Sequence, residues 1–239
     1  MARKVFITGA NKGIGKQIAR QMGKNGWNVL VGARNDDRGL AAVHELTGEG
    51  IEAEYLNIDL QDSETISAAV NLIESRHTGL SMLINNAAIP GDMHKPGYEF
   101  TAGELRDVME TNFFGPFELT RCLLPTLEKN NGRIVNIAIP IGRLPHFNPF
   151  AYKTSKAAFN VMAQSLAQNF TEKGKFVEIF SIMPGPTTTD LNGNITGEHA
   201  KTAEEAGKLI VGFILDGKNH NGEVINYNGA AVDYNHGLF

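Results

Sequence analysis

The chain has 239 residues, of which 42% are hydrophobic and 20% charged, and its formal net charge is −4. We therefore expect one folded domain over residues 1–239 that has no basic surface for nucleic acid. Its single cysteine excludes an intrachain disulfide, and its seven histidines show no ligand spacing, so we expect no metal.

Short apolar runs alternate with helical patterns along the chain. The predicted strands span residues 5–7, 27–33, 52–57, 82–87, 133–137, 177–182 and 223–227. The predicted helices span residues 16–22, 38–46, 63–75, 105–127, 150–170 and 203–215. This alternation predicts an α/β fold, with a parallel sheet covered by helices on both faces.

The sequence gives no sign of a membrane protein or a secreted one. No stretch approaches membrane-spanning length, and the first predicted strand begins almost at Met1. We therefore expect no membrane segment and no signal peptide, and a cytoplasmic location.

Three glycines, Gly9, Gly13 and Gly15, lie between the first predicted strand and helix. Glycines at such a turn let the backbone approach a diphosphate, and the helix N-terminus presents free N–H groups. The spacing differs from G-x-G-x-x-G, and Gln17 stands where a Walker loop needs Ser or Thr. A nucleotide site is favoured, with an ordinary glycine-rich turn as the alternative.

The spacing T-G-x-x-x-G-x-G over residues 8–15 resembles the short-chain dehydrogenase/reductase family. Further motifs of that family follow in order along nearly the whole chain. They are Asp59, Asn85-Asn86-Ala87-Ala88, Asn112, Tyr152 with Lys156, and Pro184-Gly185-Pro186-Thr187. The resemblance implies a single-domain, doubly wound Rossmann fold that binds a nicotinamide cofactor. Within the family, Asn11-Lys12 and Ala33-Arg34 are most similar to the carbonyl reductases.

The resemblance also assigns residues to the cofactor. Those after the third strand flank the adenine ring, those after the fourth pass beneath the ribose, and the threonines near residue 187 contact the pyrophosphate or the nicotinamide amide. The implied contacts are Gly9, Asn11, Lys12, Gly13, Ile14, Gly15, Arg34, Asp59, Leu60, Asn86, Ala87, Tyr152, Lys156, Pro184, Gly185, Thr187 and Thr189.

The end of the second predicted strand bears on the choice between NAD and NADP. NAD sites commonly place an acid there, whereas an Arg suits the 2′-phosphate of NADP. This strand ends at Arg34, and Lys12 in the glycine loop is a second cation for the same phosphate. The pattern favours NADP, although Asp36 and Asp37 follow closely and both cations have an alternative interpretation as surface charges.

Tyr152 and Lys156 are the predicted catalytic pair. Spaced at i and i+4, they share one face of a helix. A tyrosine can give a proton to a carbonyl oxygen, and a nearby ammonium is expected to lower the tyrosine pKa from about 10. By resemblance, Lys156 also contacts the nicotinamide ribose, and Asn112, which interrupts a long helix, anchors a water that passes protons to Lys156. A surface helical pair is the alternative for an isolated match.

The chain departs from the family at the catalytic serine. The family's strand runs to Ser-Ser-x-x-Gly, and alignment on Gly142 puts Ile139 in place of the serine that donates to the substrate carbonyl. Loss of one such donor costs roughly 10²- to 10³-fold in rate. Ser155 is expected to point away from the tyrosine, which leaves His146 or Asn148 in the next loop as candidate replacements.

Two functions remain open at this stage. The first is an NADP-dependent oxidoreductase that reduces a small or hydrophobic carbonyl, with weakened activity. The second is a non-enzymatic NADP-binding protein, such as a redox sensor or an assembly partner. Ile139, Leu144 and Phe147 are the predicted substrate pocket, with core or interface packing as an equal alternative for each.

The two long predicted helices also carry more apolar residues than one sheet-facing stripe requires. The excess residues are Phe113, Phe114, Phe117, Phe159 and Met162. By resemblance, these helices pack against symmetry mates in a homodimer or homotetramer, and a thick monomer core is the alternative.

Overall fold

A computed structural model describes residues 3–141, 148–194, 196–197 and 200–232. Within these ranges the chain forms one seven-stranded parallel sheet in the order β3-β2-β1-β4-β5-β6-β7. The strands are β1 (Lys4–Thr8), β2 (Asn28–Ala33), β3 (Ala53–Asn57), β4 (Leu80–Asn85), β5 (Arg133–Ile137), β6 (Glu178–Met183) and β7 (Val224–Asn226). This confirms the predicted fold class.

Helices cover both faces of the sheet. They are α1 (Gly13–Lys24), α2 (Asp36–Gly48), α3 (Ser63–Arg76), α4 (Ala102–Met109), α5 (Gly115–Lys129), α6 (Phe150–Glu172) and α7 (Ala203–Ile214). Apolar residues of α1, α2 and α7 form one core with the sheet, and those of α3, α5 and α6 form a second core on the opposite face. Because both faces are buried, the strands are apolar throughout.

The predicted helix over residues 105–127 is divided in the structure. A π turn, Glu110–Phe114, lies between α4 and α5 and contains Asn112. The division falls where the sequence predicts that Asn112 interrupts the helix. Such a turn disturbs the regular backbone ladder and often marks a functional position.

The other predicted elements agree with the structure to within a few residues at their ends, and residues 133–137 match β5 at both ends. In the ranges described, none of the helices combines the length and the apolar character needed to cross a bilayer.

Candidate active site

A crevice of about 560 Å³ opens at the carboxyl ends of the strands. It lies beside β1 and β4, which are neighbours in the sheet although they are not consecutive in sequence. Chain connections leave such a point in opposite directions, and the gap between them is where open α/β sheets bind ligands.

The glycine loop forms one wall of this crevice. Gly9 and Gly13 have φ angles of +65° and +55°, which favour glycine over residues with a side chain. At Gly15, an added Cβ would lie 2.4 Å from the carbonyl oxygen of Gly9. Helix α1 starts at Gly13 without a side-chain cap and without an acid in its first turn, so its N–H groups remain suited to an anion.

Thr8 and Asn86 hold the glycine loop against the end of β4. The Thr8 hydroxyl oxygen accepts the backbone N–H of Asn86 and of Ala87 at 3.0 and 3.1 Å. In return, Asn86 Nδ2 donates to the carbonyl oxygens of Thr8 and Gly9. These bonds satisfy polar groups at the strand ends and fix the floor of the crevice.

Cations lie on the β2 side of the crevice. Arg34 and Arg38 both line it, together with Asn35. Asp36 is not among the lining residues, because its carboxylate accepts the Tyr55 hydroxyl and Asn57 Nδ2, each at 2.7 Å. These two bonds lower the pKa of Asp36 and hold its charge against β3.

Lys12 reaches across the mouth of the crevice to Asp190. Its Nζ lies 3.0 Å from the Asp190 carboxylate. Asp190 begins a short 3₁₀ turn, Asp190–Asn192, in the segment after β6. The glycine loop and this segment are therefore joined by an ion pair, a contact that the sequence does not predict.

Tyr152 and Lys156 occupy adjacent turns at the start of α6, and both line the crevice. The Lys156 side chain is almost fully buried, and its Nζ donates to the carbonyl oxygen of Ile137 at 2.8 Å. The same Nζ lies 5.8 Å from the centre of the Tyr152 ring. The i, i+4 spacing thus places a phenol and an ammonium together in the crevice wall.

Burial dominates the titration of this pair. It raises the pKa of Tyr152 to about 12 and lowers the pKa of Lys156 to about 8. The sequence predicts a lowered tyrosine pKa, and that prediction is wrong for this structure. The ammonium is turned toward the Ile137 carbonyl, and the cost of burying a phenolate exceeds its attraction. At neutral pH both groups hold their protons.

Asn112 stands behind the pair and does not line the crevice. It is fully buried, exchanges hydrogen bonds with the backbone of Ile89, and donates to Ser155 Oγ at 3.0 Å. The Ser155 hydroxyl in turn donates its only hydrogen to the Tyr152 carbonyl oxygen at 2.7 Å. It therefore has no hydrogen left for a substrate.

Ile139 follows β5 by two residues and is half-buried, with no polar group in its side chain. Asn148, one candidate replacement for the serine, is exposed. The other candidate, His146, lies outside the described residues, as do the predicted pocket residues Leu144 and Phe147.

Most of the predicted cofactor residues line the crevice. Those that do are Gly9, Asn11, Lys12, Gly13, Ile14, Gly15, Arg34, Asp59, Leu60, Asn86, Ala87, Tyr152, Lys156 and Thr189. The predicted cofactor residues that do not line it are Pro184, Gly185 and Thr187. Ile139, from the predicted substrate pocket, does not line it either. Thr187 is buried and donates to the carbonyl oxygen of Gly185, so it shapes the turn before the lining segment.

Several residues that line the crevice lie outside the predicted set, and three of them carry polar or charged side chains that bear on ligand binding. Arg38 lies in the first turn of α2, four residues after Arg34, and it begins the helix predicted over residues 38–46. Asp190 directly follows the predicted Thr189. Thr111 has a buried hydroxyl that finds no hydrogen-bond partner among the described residues, which suits a polar ligand group, but no local signal in the sequence marks it.

Comparisons with known proteins identify the family of the chain. The family model described as short chain dehydrogenase matches residues 3–200. The chain is 30% identical to the short-chain dehydrogenase anuI of Penicillium roqueforti over 254 aligned positions, covering 96% of each protein.

Solved structures share the fold over nearly the whole chain. A short-chain dehydrogenase from Shigella flexneri, complexed with NADP, has a TM-score of 0.84 at 26% identity and covers 95% of this chain and 97% of its own. An NADPH-bound carbonyl reductase from chicken fatty liver has a TM-score of 0.86 at 23% identity, covering 98% and 99%. Together with the family model, these likenesses show that the chain belongs to the short-chain dehydrogenase family of oxidoreductases.

Proposed function

We propose that the protein is an NADP-dependent reductase of small or hydrophobic carbonyl compounds. The observation that carries the proposal is the Tyr152–Lys156 pair in the wall of a crevice whose glycine loop suits a diphosphate. A neutral phenol beside a buried ammonium is the arrangement needed to protonate a carbonyl oxygen as its carbon is reduced.

The residues present fit a nicotinamide dinucleotide. The loop at Gly9 and Gly15 leaves no room for a Cβ, so the backbone itself would face the diphosphate. The Thr111 hydroxyl, which has no hydrogen-bond partner in the described part of the chain, offers a further contact. When bound in reduced form, the cofactor supplies a hydride for the carbonyl carbon.

Protein groups handle the proton in this proposal. Tyr152 gives its phenolic proton to the carbonyl oxygen, and the Lys156 ammonium stabilises the phenolate that results. Lys156 is held in position by the Ile137 carbonyl. Asn112 supports the start of α6 through its hydrogen bond to Ser155. The side chain of Ile139 has no hydrogen-bond donor, so it cannot polarise the substrate carbonyl. We therefore expect slow turnover, restricted to reactive carbonyls.

NADP is favoured over NAD by the charges on the β2 side. Arg34 and Arg38 face the crevice, whereas Asp36 is held by Tyr55 and Asn57. The Shigella flexneri relative, a neighbour of similar fold, is complexed with NADP.

Titration calorimetry with NADPH and NADH tests this choice. We expect NADPH to bind more tightly and Arg34→Ala to remove most of the difference. Tighter binding of NADH would contradict it.

A second function has its own supporting observation. Ile139 has no hydrogen-bond donor, and the Ser155 hydroxyl already donates its only hydrogen to the Tyr152 carbonyl oxygen. Both facts fit a protein that binds NADP without turnover. Oxidation of NADPH in the presence of a panel of ketones, aldehydes and quinones separates the two functions. Tight binding without oxidation of NADPH by any of them would favour the binding protein.

We also propose a homodimer or homotetramer built on α5 and α6. Phe159 and Met162 are buried in the protomer, but Phe114, Phe117 and Val161 are 48%, 37% and 58% exposed. A second copy of the chain would cover these apolar side chains.

A further inference from the structure

The ion pair between Lys12 and Asp190 joins two segments that both line the cofactor crevice. The Lys12 and Asp190 side chains are 54% and 61% exposed, so either can exchange partners without unfolding its surroundings. Lys12 is also the residue that the sequence assigns to the 2′-phosphate. One ammonium therefore has two candidate anions.

Local hydrogen bonds hold Asp190 close to Lys12 and Arg38. Asn194 Nδ2 donates to its carboxylate at 3.3 Å, and a capping box between Thr189 and Asn192 fixes the turn that it begins. Lys12 is the main cause of the lowered pKa of Asp190, and the charge of Arg38 contributes. The carboxylate thus lies within the field of the cations that face the crevice.

We propose that Asp190 sets the strength of the preference for NADP by competing with the 2′-phosphate for Lys12. This inference rests on the proposed use of NADP. A phosphate monoester carries between one and two negative charges at neutral pH, so it both attracts Lys12 and repels Asp190. When the 2′-phosphate binds, the Lys12 ammonium must either break its ion pair with Asp190 or contact both anions at once.

Binding of two nucleotide fragments by calorimetry tests the proposal without turnover. The probes are 2′,5′-ADP, which carries the 2′-phosphate, and 5′-AMP, which lacks it. We expect Asp190→Asn to bind 2′,5′-ADP about 2- to 5-fold more tightly, the upper range for one exposed ion pair, and to bind 5′-AMP as the parent does. The matched control is Glu204→Gln, which removes an equally exposed carboxylate from its ion pair with Lys208 and should change neither affinity.

The double variant separates competition for Lys12 from direct repulsion. If Asp190 acts through Lys12, most of the gain from Asp190→Asn disappears in a Lys12→Gln background. A full gain in that background would overturn the proposal, as would no gain in the single variant or equal weakening of both probes. If the parent binds 5′-AMP as tightly as 2′,5′-ADP, the use of NADP fails instead, whatever Asp190→Asn does.

Discussion

Lys156 Nζ lies 2.8 Å from the carbonyl oxygen of Ile137, the last residue of β5. This bond ties the start of α6 to the strand end from which Ile139 follows two residues later. The buried ammonium is therefore held at a fixed place beside Tyr152, and removal of either side chain should have a separable effect.

Tyr152→Phe should reduce carbonyl reduction by at least about 100-fold, because it removes the proposed proton donor and keeps the ring. Cofactor affinity should change little. NADPH oxidation and NADPH binding, measured on the same preparation, check this. Unchanged turnover in the variant would contradict the assignment of Tyr152 as the acid.

Ile139→Ser should raise turnover by roughly 100-fold, since one oxyanion donor is worth about that much. Ile139→Ala is the matched control, because it removes similar volume without adding a hydroxyl and should give no gain. Both changes shorten a half-buried side chain, so thermal melts must show that the variants remain folded. Equal rates for the serine and alanine variants would refute a role for the missing donor.

Lys156 should make the protein more stable as the pH rises from about 8 toward 10.5. Burial lowers its pKa from 10.5 to about 8, so in this window the unfolded chain binds a proton that the folded chain does not. Stability then rises with pH. Relative to Lys156→Met, the free energy of unfolding should increase by about 2 kcal/mol between pH 7 and pH 10. Urea unfolding at the two pH values measures it, and a parallel response of both proteins would contradict it.

Local pattern was sufficient for the strands and for the placement of Tyr152 beside Lys156. Apolar runs mark buried parallel strands such as β5, and the spacing of Tyr152 and Lys156 places them together on any helix. The direction of the tyrosine pKa was not predictable in the same way, because it depends on how deeply the folded chain buries the phenol.

Contacts between distant segments account for what sequence reasoning missed. Lys12 and Asp190 are 178 residues apart, and nothing near either residue indicates their ion pair. The position of the Asp36 carboxylate likewise depends on hydrogen bonds from Tyr55 and Asn57, which belong to the neighbouring strand β3. Such pairings arise from the order of the strands in the sheet, which local pattern leaves open.

Gly15→Ala should weaken NADPH binding by at least about 10-fold. Its Cβ would lie 2.4 Å from both the Gly9 carbonyl oxygen and Asn86 Nδ2, so the loop must shift away from its position for a diphosphate. Gly212→Ala in α7 is the control, because its Cβ meets nothing within 4 Å. That change should stabilise the protein by about 0.5–1 kcal/mol and leave binding intact. Normal NADPH affinity in Gly15→Ala would show that the loop is not the diphosphate site.

Phe117→Asp should dissociate the proposed oligomer. Phe117 lies on α5 with 37% of its surface exposed, near the exposed Phe114, and a charge there would be desolvated in an interface with a second copy. Light scattering at micromolar concentration should give the mass of two or four chains for the parent and a lower mass for the variant. Phe176→Asp is the control, because Phe176 is 75% exposed outside α5 and α6 and its change should leave the mass unaltered. A parent that has the mass of one chain would show that these side chains are simply exposed on a monomer.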